Sequence, residues 1–273
     1  MPKSTIQDVA KAAGVSVATV SRVINKSGSV AQDTYNAVQD AIKRLDYRPN
    51  LLGRHLRRTE SKLILALLPS IANPFYSRIV KGIEDVAQRN GYNVMLCNTD
   101  SDAAREQVYL ELLKNRLADG VVFMAPEIGR RELTEISGRF PVVQCCEYRE
   151  GAEVSLVSID NHLAAVRVAR HLTSLGHERI AMISCKNSFV STIRREEGFR
   201  SEIEKMGLRL EDRRVVYGDY SFISGYRTAT HLLALKERPT AIFAISDMMA
   251  IGALKAAREK GLRVPEDLAP DVD

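Results

Sequence analysis

Between residues 5 and 28 the chain reads TIQDVAKAAGVSVATVSRVINKSG, and part of it suits hydrogen bonding to a double helix. Wound as a helix, 17–25 turns Val20, Val23 and Ile24 to one side, leaving Ala18, Thr19, Ser21, Arg22 and Asn25 on the other. That second face is small and polar, and only a slim helix enters the major groove. A guanidinium fork matches the two acceptors of guanine, so Arg22 is the residue best suited to a specific base contact. Catalytic chemistry has no comparable footing, because the sequence lacks G-x-S-x-G, a P-loop and any nucleophile–base or paired-carboxylate arrangement. The cysteines (97, 145, 146 and 185) lack ligand spacing and the histidines (55, 162, 171, 177 and 231) form no cluster. Reduced, buried thiols are therefore expected, with no metal, no cofactor and no enzyme activity.

The elements that position the polar face are legible. Thr5 can cap a first helix, with Asp8 at the positive end of its dipole, and Ile6, Val9, Ala10 and Ala13 make an apolar stripe. Gly14 supplies the helix end and Ser16 can cap the second helix. A third helix over 32–45 turns Tyr35, Val38, Ile42 and Leu45 inward. The result is a helix-turn-helix, for which spacing alone leaves open a generic αα-hairpin. Charge favours nucleic acid. Residues 1–62 hold 11 Lys/Arg against 5 Asp/Glu, a net +6, while the rest holds 28 against 29, a net −1.

The string DVAKAAGVSVATVSRVIN resembles the start of the LacI/GalR family of bacterial repressors. The resemblance implies that Val17, Ala18 and Arg22 reach base edges while Ser16, Ser21 and Asn25 fix register on phosphates. It adds Thr5, Thr19, Tyr47 and Asn50 to the DNA-binding set of a head spanning 1–49. Segment 50–61, containing LLGRHLRR, is by itself a basic linker too short to hold as a helix. The likeness makes it a hinge helix that orders on the operator, with Leu56 wedged into a minor-groove step and His55 among the phosphate contacts.

From residue 62 apolar runs alternate with helical ones: KLILALLPS, a helix over 74–89, YNVMLCNTD, a helix over 103–115, DGVVFMAP, PVVQCC and EVSLVSID. Helices over 162–175, 192–206, 221–235 and 247–260 then alternate with RIAMISC, RRVVYGDY and TAIFAIS. Such runs mean parallel sheets covered on both faces, an α/β class. Lobes at 62–160 and 161–273 would resemble the type I periplasmic-binding-protein fold of the family. Ligands on such sheets sit outside the carboxyl ends of strands. The resemblance implies effector roles for Phe75 in SIANPFY, for Arg195 in STIRREEGF, and for Ser246 and Asp247 in SDMMAIGA. Asp160 also ends a strand. Helix capping competes with ligand contact at Asp160, Ser246 and Asp247, and a solvated helix arginine competes at Arg195.

The expectation is a cytoplasmic, ligand-responsive repressor that binds a near-palindromic operator as a homodimer, controlled by a sugar or nucleoside. A solute-binding component of the same core fold is the alternative; the basic head and the absence of a leader-like start argue against it. No apolar run reaches membrane-spanning length, so no membrane partner is expected. GLRVPEDLA normally leads into an apolar strand in the family, but here it runs into Pro270, Asp271, Val272 and Asp273. The C-terminal lobe is accordingly expected to be incomplete and to lack a sheet neighbour.

Overall fold

Thr5 opens the first helix through a reciprocal cap: its hydroxyl accepts from the Asp8 amide at 3.3 Å, and the Asp8 carboxylate accepts from the Thr5 amide at 2.8 Å. A computed structural model describes residues 4–25, 27–47 and 60–272. The chain divides into two units, Met1–Ser61 and Lys62–Asp273.

The first unit contains α1 (Ile6–Ala13), α2 (Val17–Asn25) and α3 (Gln32–Arg44). Gly14 ends α1 at φ 66°, a left-handed conformation that glycine adopts without a Cβ penalty. Val9, Ala10, Val20, Val23, Val38 and Ala41 form the buried core, with Tyr35, Ile42, Leu45 and Tyr47 packed around it.

The second unit opens with β1 (Leu63–Leu68), α4 (Pro74–Arg89), β2 (Asn93–Asn98), α5 (Ala103–Lys114) and β3 (Gly120–Phe123). It continues through α6 (Arg130–Ser137), β4 (Val142–Cys145) and β5 (Ser155–Val157). These strands make one sheet in the order β2-β1-β3-β4-β5, parallel throughout. Interior strand β1 sets Leu65 opposite both Met95 and Val121, and its LILALL run is apolar because helices cover both faces. Helix α6 has no counterpart in the sequence reading. It is eight residues long and mostly polar, and only Leu133 and Ile136 anchor it in the core. EVSLVSID extends as a strand only over β5, an exposed edge.

A second sheet follows from α7 (Asn161–Ser174), β6 (Ile180–Cys185), α8 (Val190–Lys205), β7 (Val215–Gly218), α9 (Phe222–Leu232), β8 (Ala241–Ala244), α10 (Asp247–Glu259) and β9 (Ala269–Val272). Its order is β7-β6-β8-β9, again parallel. Phe199 and Phe243 stack at its centre, ring centroids 4.7 Å apart. Helices α9 and α10 cross so closely that a Cβ on Gly252 would lie 2.3 Å from the Phe222 carbonyl oxygen.

The expected want of a sheet neighbour is corrected by β9, which pairs with β8 through Ile242 opposite Pro270 and Phe243 opposite Asp271. Ladder pairing uses backbone groups, and at the sheet edge the missing N–H of Pro270 is tolerated.

Candidate DNA-reading face and ligand cleft

In the head, Ser16 caps α2, its hydroxyl accepting from the Thr19 amide at 3.1 Å. Buried Val20 and Val23 hold α2 against its neighbours and fix which side turns outward. Val17, Ala18, Arg22 and Asn25 are exposed there, with Thr19 and Ser21 half-buried beside them. The Arg22 guanidinium makes no hydrogen bond or ion pair among the described residues. Asn25 is engaged within its helix, its amide donating to the Ser21 carbonyl at 2.8 Å and to the Ser21 hydroxyl at 3.2 Å. The Thr5 hydroxyl donates to the Asp8 carboxylate at 2.7 Å, and this bond holds the carboxyl below its usual range. Half-buried Tyr47 packs on the core, where burial raises its phenol. Asn50, His55 and Leu56 lie outside the described residues.

The cleft lies at the carboxyl ends of the two sheets, where backbone amides and loop side chains converge. Segments after β3 and β4 (Ala125–Glu127 and Glu147–Arg149) meet Ser188, Phe189 and Val190, which follow β6, around a cavity of about 10 Å³. Glu147 bridges the lobes, its nearly buried carboxylate accepting from the Ser191 amide at 3.1 Å. A second bridge joins Arg194 to Glu150 at 2.7 Å. Arg149 pairs with Glu127 at 3.1 Å, and fully buried Glu106 accepts from the Glu127 and Ile128 amides. Burial raises the Glu106 carboxyl against the pull of those amides.

A wider groove of about 360 Å³ is lined by Tyr148, Ile159, Asp160, Asn161, His162 and Arg194. Of the expected effector residues, Asp160 alone lines it. That aspartate also caps α7, accepting from the Leu163 amide at 2.9 Å. Asn161 is nearly buried, and its side-chain oxygen has no hydrogen-bond partner among the described residues.

The other expected effector residues do not line this groove. Phe75, 53% exposed on the first turn of α4, stands edge-on to Tyr76 with centroids 5.2 Å apart. Tyr76 is buried, and burial together with the Glu147 charge raises its phenol. Arg195 donates from Nη1 to the Ile245 carbonyl at 2.8 Å, tying α8 to the end of β8. Ser246 caps α10 through the Met249 amide at 3.4 Å, and Asp247 is exposed in the first turn. Glu147, Tyr148, Arg149 and Arg194 were not among the sequence candidates. For the first three the signal was available, since they directly follow the VVQCC strand where the carboxyl-end rule applies. Among the described residues no three His, Cys, Asp or Glu side chains gather to hold a metal ion.

A basic helix-turn-helix unit followed by a two-sheet α/β unit is the make-up of a DNA-binding regulator with a ligand-binding domain. Residues 5–50 match the pattern described as bacterial regulatory proteins, lacI family, and 61–270 match periplasmic binding proteins and sugar binding domain of LacI family. The chain belongs to the LacI family of transcription regulators. It is 36% identical to the transcriptional regulator DegA of Bacillus subtilis, covering 98% of this chain and 80% of that protein. To the transcriptional repressor CytR of Escherichia coli it is 34% identical, covering 97% of this chain and 78% of that protein. The lac repressor dimer bound to operator and anti-inducer superposes with a TM-score of 0.87 at 27% identity, over 98% of this chain and 82% of that one. These relatives are named for regulation of transcription, not for catalysis. No helix among the described residues is long and apolar enough to cross a membrane.

Proposed function

We propose that this regulator is a cytoplasmic repressor that binds a near-palindromic operator as a homodimer, its grip set by a sugar or nucleoside in the cleft. Residues 1–49 act as the head, 50–61 as the hinge, and 62–160 and 161–273 as the two lobes. The observation supporting this reading is the exposed face of α2 around Arg22, which has no partner among the described residues. Val17, Ala18 and Arg22 read bases, while Ser16, Thr19, Ser21 and Asn25 contact phosphates. Thr5, Tyr47, Asn50 and His55 complete the backbone contacts, and Leu56 wedges the operator centre. In the cleft Asp160 and Arg195 supply polar groups, Phe75 an aromatic wall, and Ser246 and Asp247 the end of the second sheet.

Selection of bound sites from a random duplex pool tests the reading, followed by fluorescence polarisation on the selected site. The reading expects two inverted half-sites, affinity that falls steeply with salt, and a shift in affinity with one class of sugar or nucleoside. Recovery of sequences without inverted half-sites would refute it.

A further inference from the structure

Strand β4 ends in two adjacent cysteines whose sulfurs lie 3.7 Å apart. Successive side chains on a strand point to opposite faces. Here Cys146 leaves the strand with φ 71°, a left-handed conformation that turns its thiol beside that of Cys145. Four bonds hold the turn. The Cys146 amide donates to the Val157 carbonyl at 2.9 Å, the Glu147 amide donates to the Cys145 carbonyl at 3.0 Å and to the Met124 carbonyl at 3.2 Å, and the Ser158 hydroxyl donates to the Cys146 carbonyl at 3.0 Å.

Both thiols are half-buried, so a small oxidant has access that buried Cys97 and Cys185 deny it. The sulfur contact pulls the Cys145 thiol down to about 7, while the same contact and burial hold Cys146 protonated. The other two thiols are pushed the opposite way by burial, Cys97 to about 12 and Cys185 to about 11. One cysteine of the pair is thus an attacking thiolate near neutral pH, with its neighbour in place to resolve the product.

We propose that Cys145 and Cys146 form a modification site for hydroperoxides, closing reversibly to a disulfide between neighbouring residues that lead into the cleft-lining Glu147. The Cys145 thiolate attacks one peroxide oxygen, the O–O bond breaks, and hydroxide leaves as a sulfenic acid forms. The Cys146 thiol then attacks the Cys145 sulfur, the S–O bond breaks, and the Cys146 proton leaves with the hydroxyl as water. Two thiols and one hydrogen peroxide give one disulfide and two waters. Neighbouring Cα atoms are about 3.8 Å apart across a trans peptide, below the usual span of roughly 4.4–6.8 Å for a disulfide. The bond is therefore strained and easily reduced, as in labile regulatory disulfides rather than structural ones. Closing it reorients the peptide leading into Glu147, whose carboxylate holds the Ser191 amide of the other lobe.

The test treats the purified chain with one equivalent of hydrogen peroxide, alkylates remaining thiols and digests with trypsin. The fragment 140–149, FPVVQCCEYR, carries both thiols and neither of the others. It is expected to lose the mass of two hydrogens, escape alkylation and regain both thiols in dithiothreitol. In Cys146→Ser a sulfenic acid trappable by dimedone accumulates on Cys145, whereas Cys145→Ser leaves Cys146 alkylated. Hydrogen exchange over 188–195 rises on oxidation and falls back on reduction. Fragments alkylated at both thiols, oxidised only to sulfinic acid, or linked between chains would overturn the site. Unchanged exchange at Ser191 would overturn its coupling to the lobe contact.

Discussion

Arg22→Ala separates the proposed base reading from every other job of the head, because the structure gives this side chain little to do in the fold. Its guanidinium has no partner among the described residues, and the stem merely runs past Gly28. Removing an exposed, unpaired side chain changes stability by about 0.5 kcal/mol or less, and alanine's helix propensity offsets part of that. The head should therefore melt within a few degrees of wild type. On DNA the loss is larger: a bidentate contact to guanine carries about 1–3 kcal/mol of discrimination. That corresponds to about 5- to 150-fold in Kd. Arg22→Lys keeps the charge but not the fork, so it should match wild type on random DNA and resemble Arg22→Ala on the selected operator. Fluorescence polarisation on both duplexes at one salt concentration, with a melting curve for each variant, makes the comparison. Equal weakening of Arg22→Ala on operator and random DNA would refute base reading and leave a phosphate contact. Loss of the head's melting transition would show that the fold depends on Arg22 after all.

Asp160 combines a cap with a place in the groove, and two substitutions divide the roles. Asp160→Asn keeps an acceptor for the Leu163 amide and should hold stability, whereas Asp160→Ala should cost about 0.5–2 kcal/mol. An effector affinity unchanged in Asp160→Asn would remove the charge from ligand binding. Gly252→Ala forces a methyl to within 2.3 Å of the Phe222 carbonyl oxygen, so α9 and α10 must separate at a cost of about 1–3 kcal/mol. Calorimetry showing no fall in Tm would mean that the helices yield freely. Burial, assisted by the His171 charge, lowers the His177 pKa below 6.5 in the folded state. The unfolded chain thus takes up the proton first, and the stability present above about pH 6.5 is lost as pH falls through the folded value. Tm should drop between roughly pH 7 and 5, and by less in His177→Gln. An identical drop in the two proteins would assign the acid sensitivity to other groups.

Much of this architecture is written in local pattern. Apolar spacing and end signals place α1 and α2, since Thr5, Gly14 and Ser16 act through bonds to residues within five positions. Helix α4 likewise runs Pro74–Arg89, where a proline start and an Asn73 cap specify its beginning. Uninterrupted apolar runs such as LILALL required helices on both sheet faces and therefore parallel strands. Tertiary structure decided what local pattern leaves open. Helix α6 is short and polar, so its helicity depends on Leu133 and Ile136 finding the core. Strand β9 exists because β8 offers an unpaired edge, a property of the sheet rather than of APDV. At the cleft, capping and the proposed ligand binding draw on the same side chains, and sequence could not rank them. Only the folded chain sets Glu147 against Ser191 and Asp160 beside Arg194, because those neighbours come from segments more than thirty positions apart. Contacts made by residues close in the chain are encoded in their order, whereas the cleft is made where two sheets bring distant loops together.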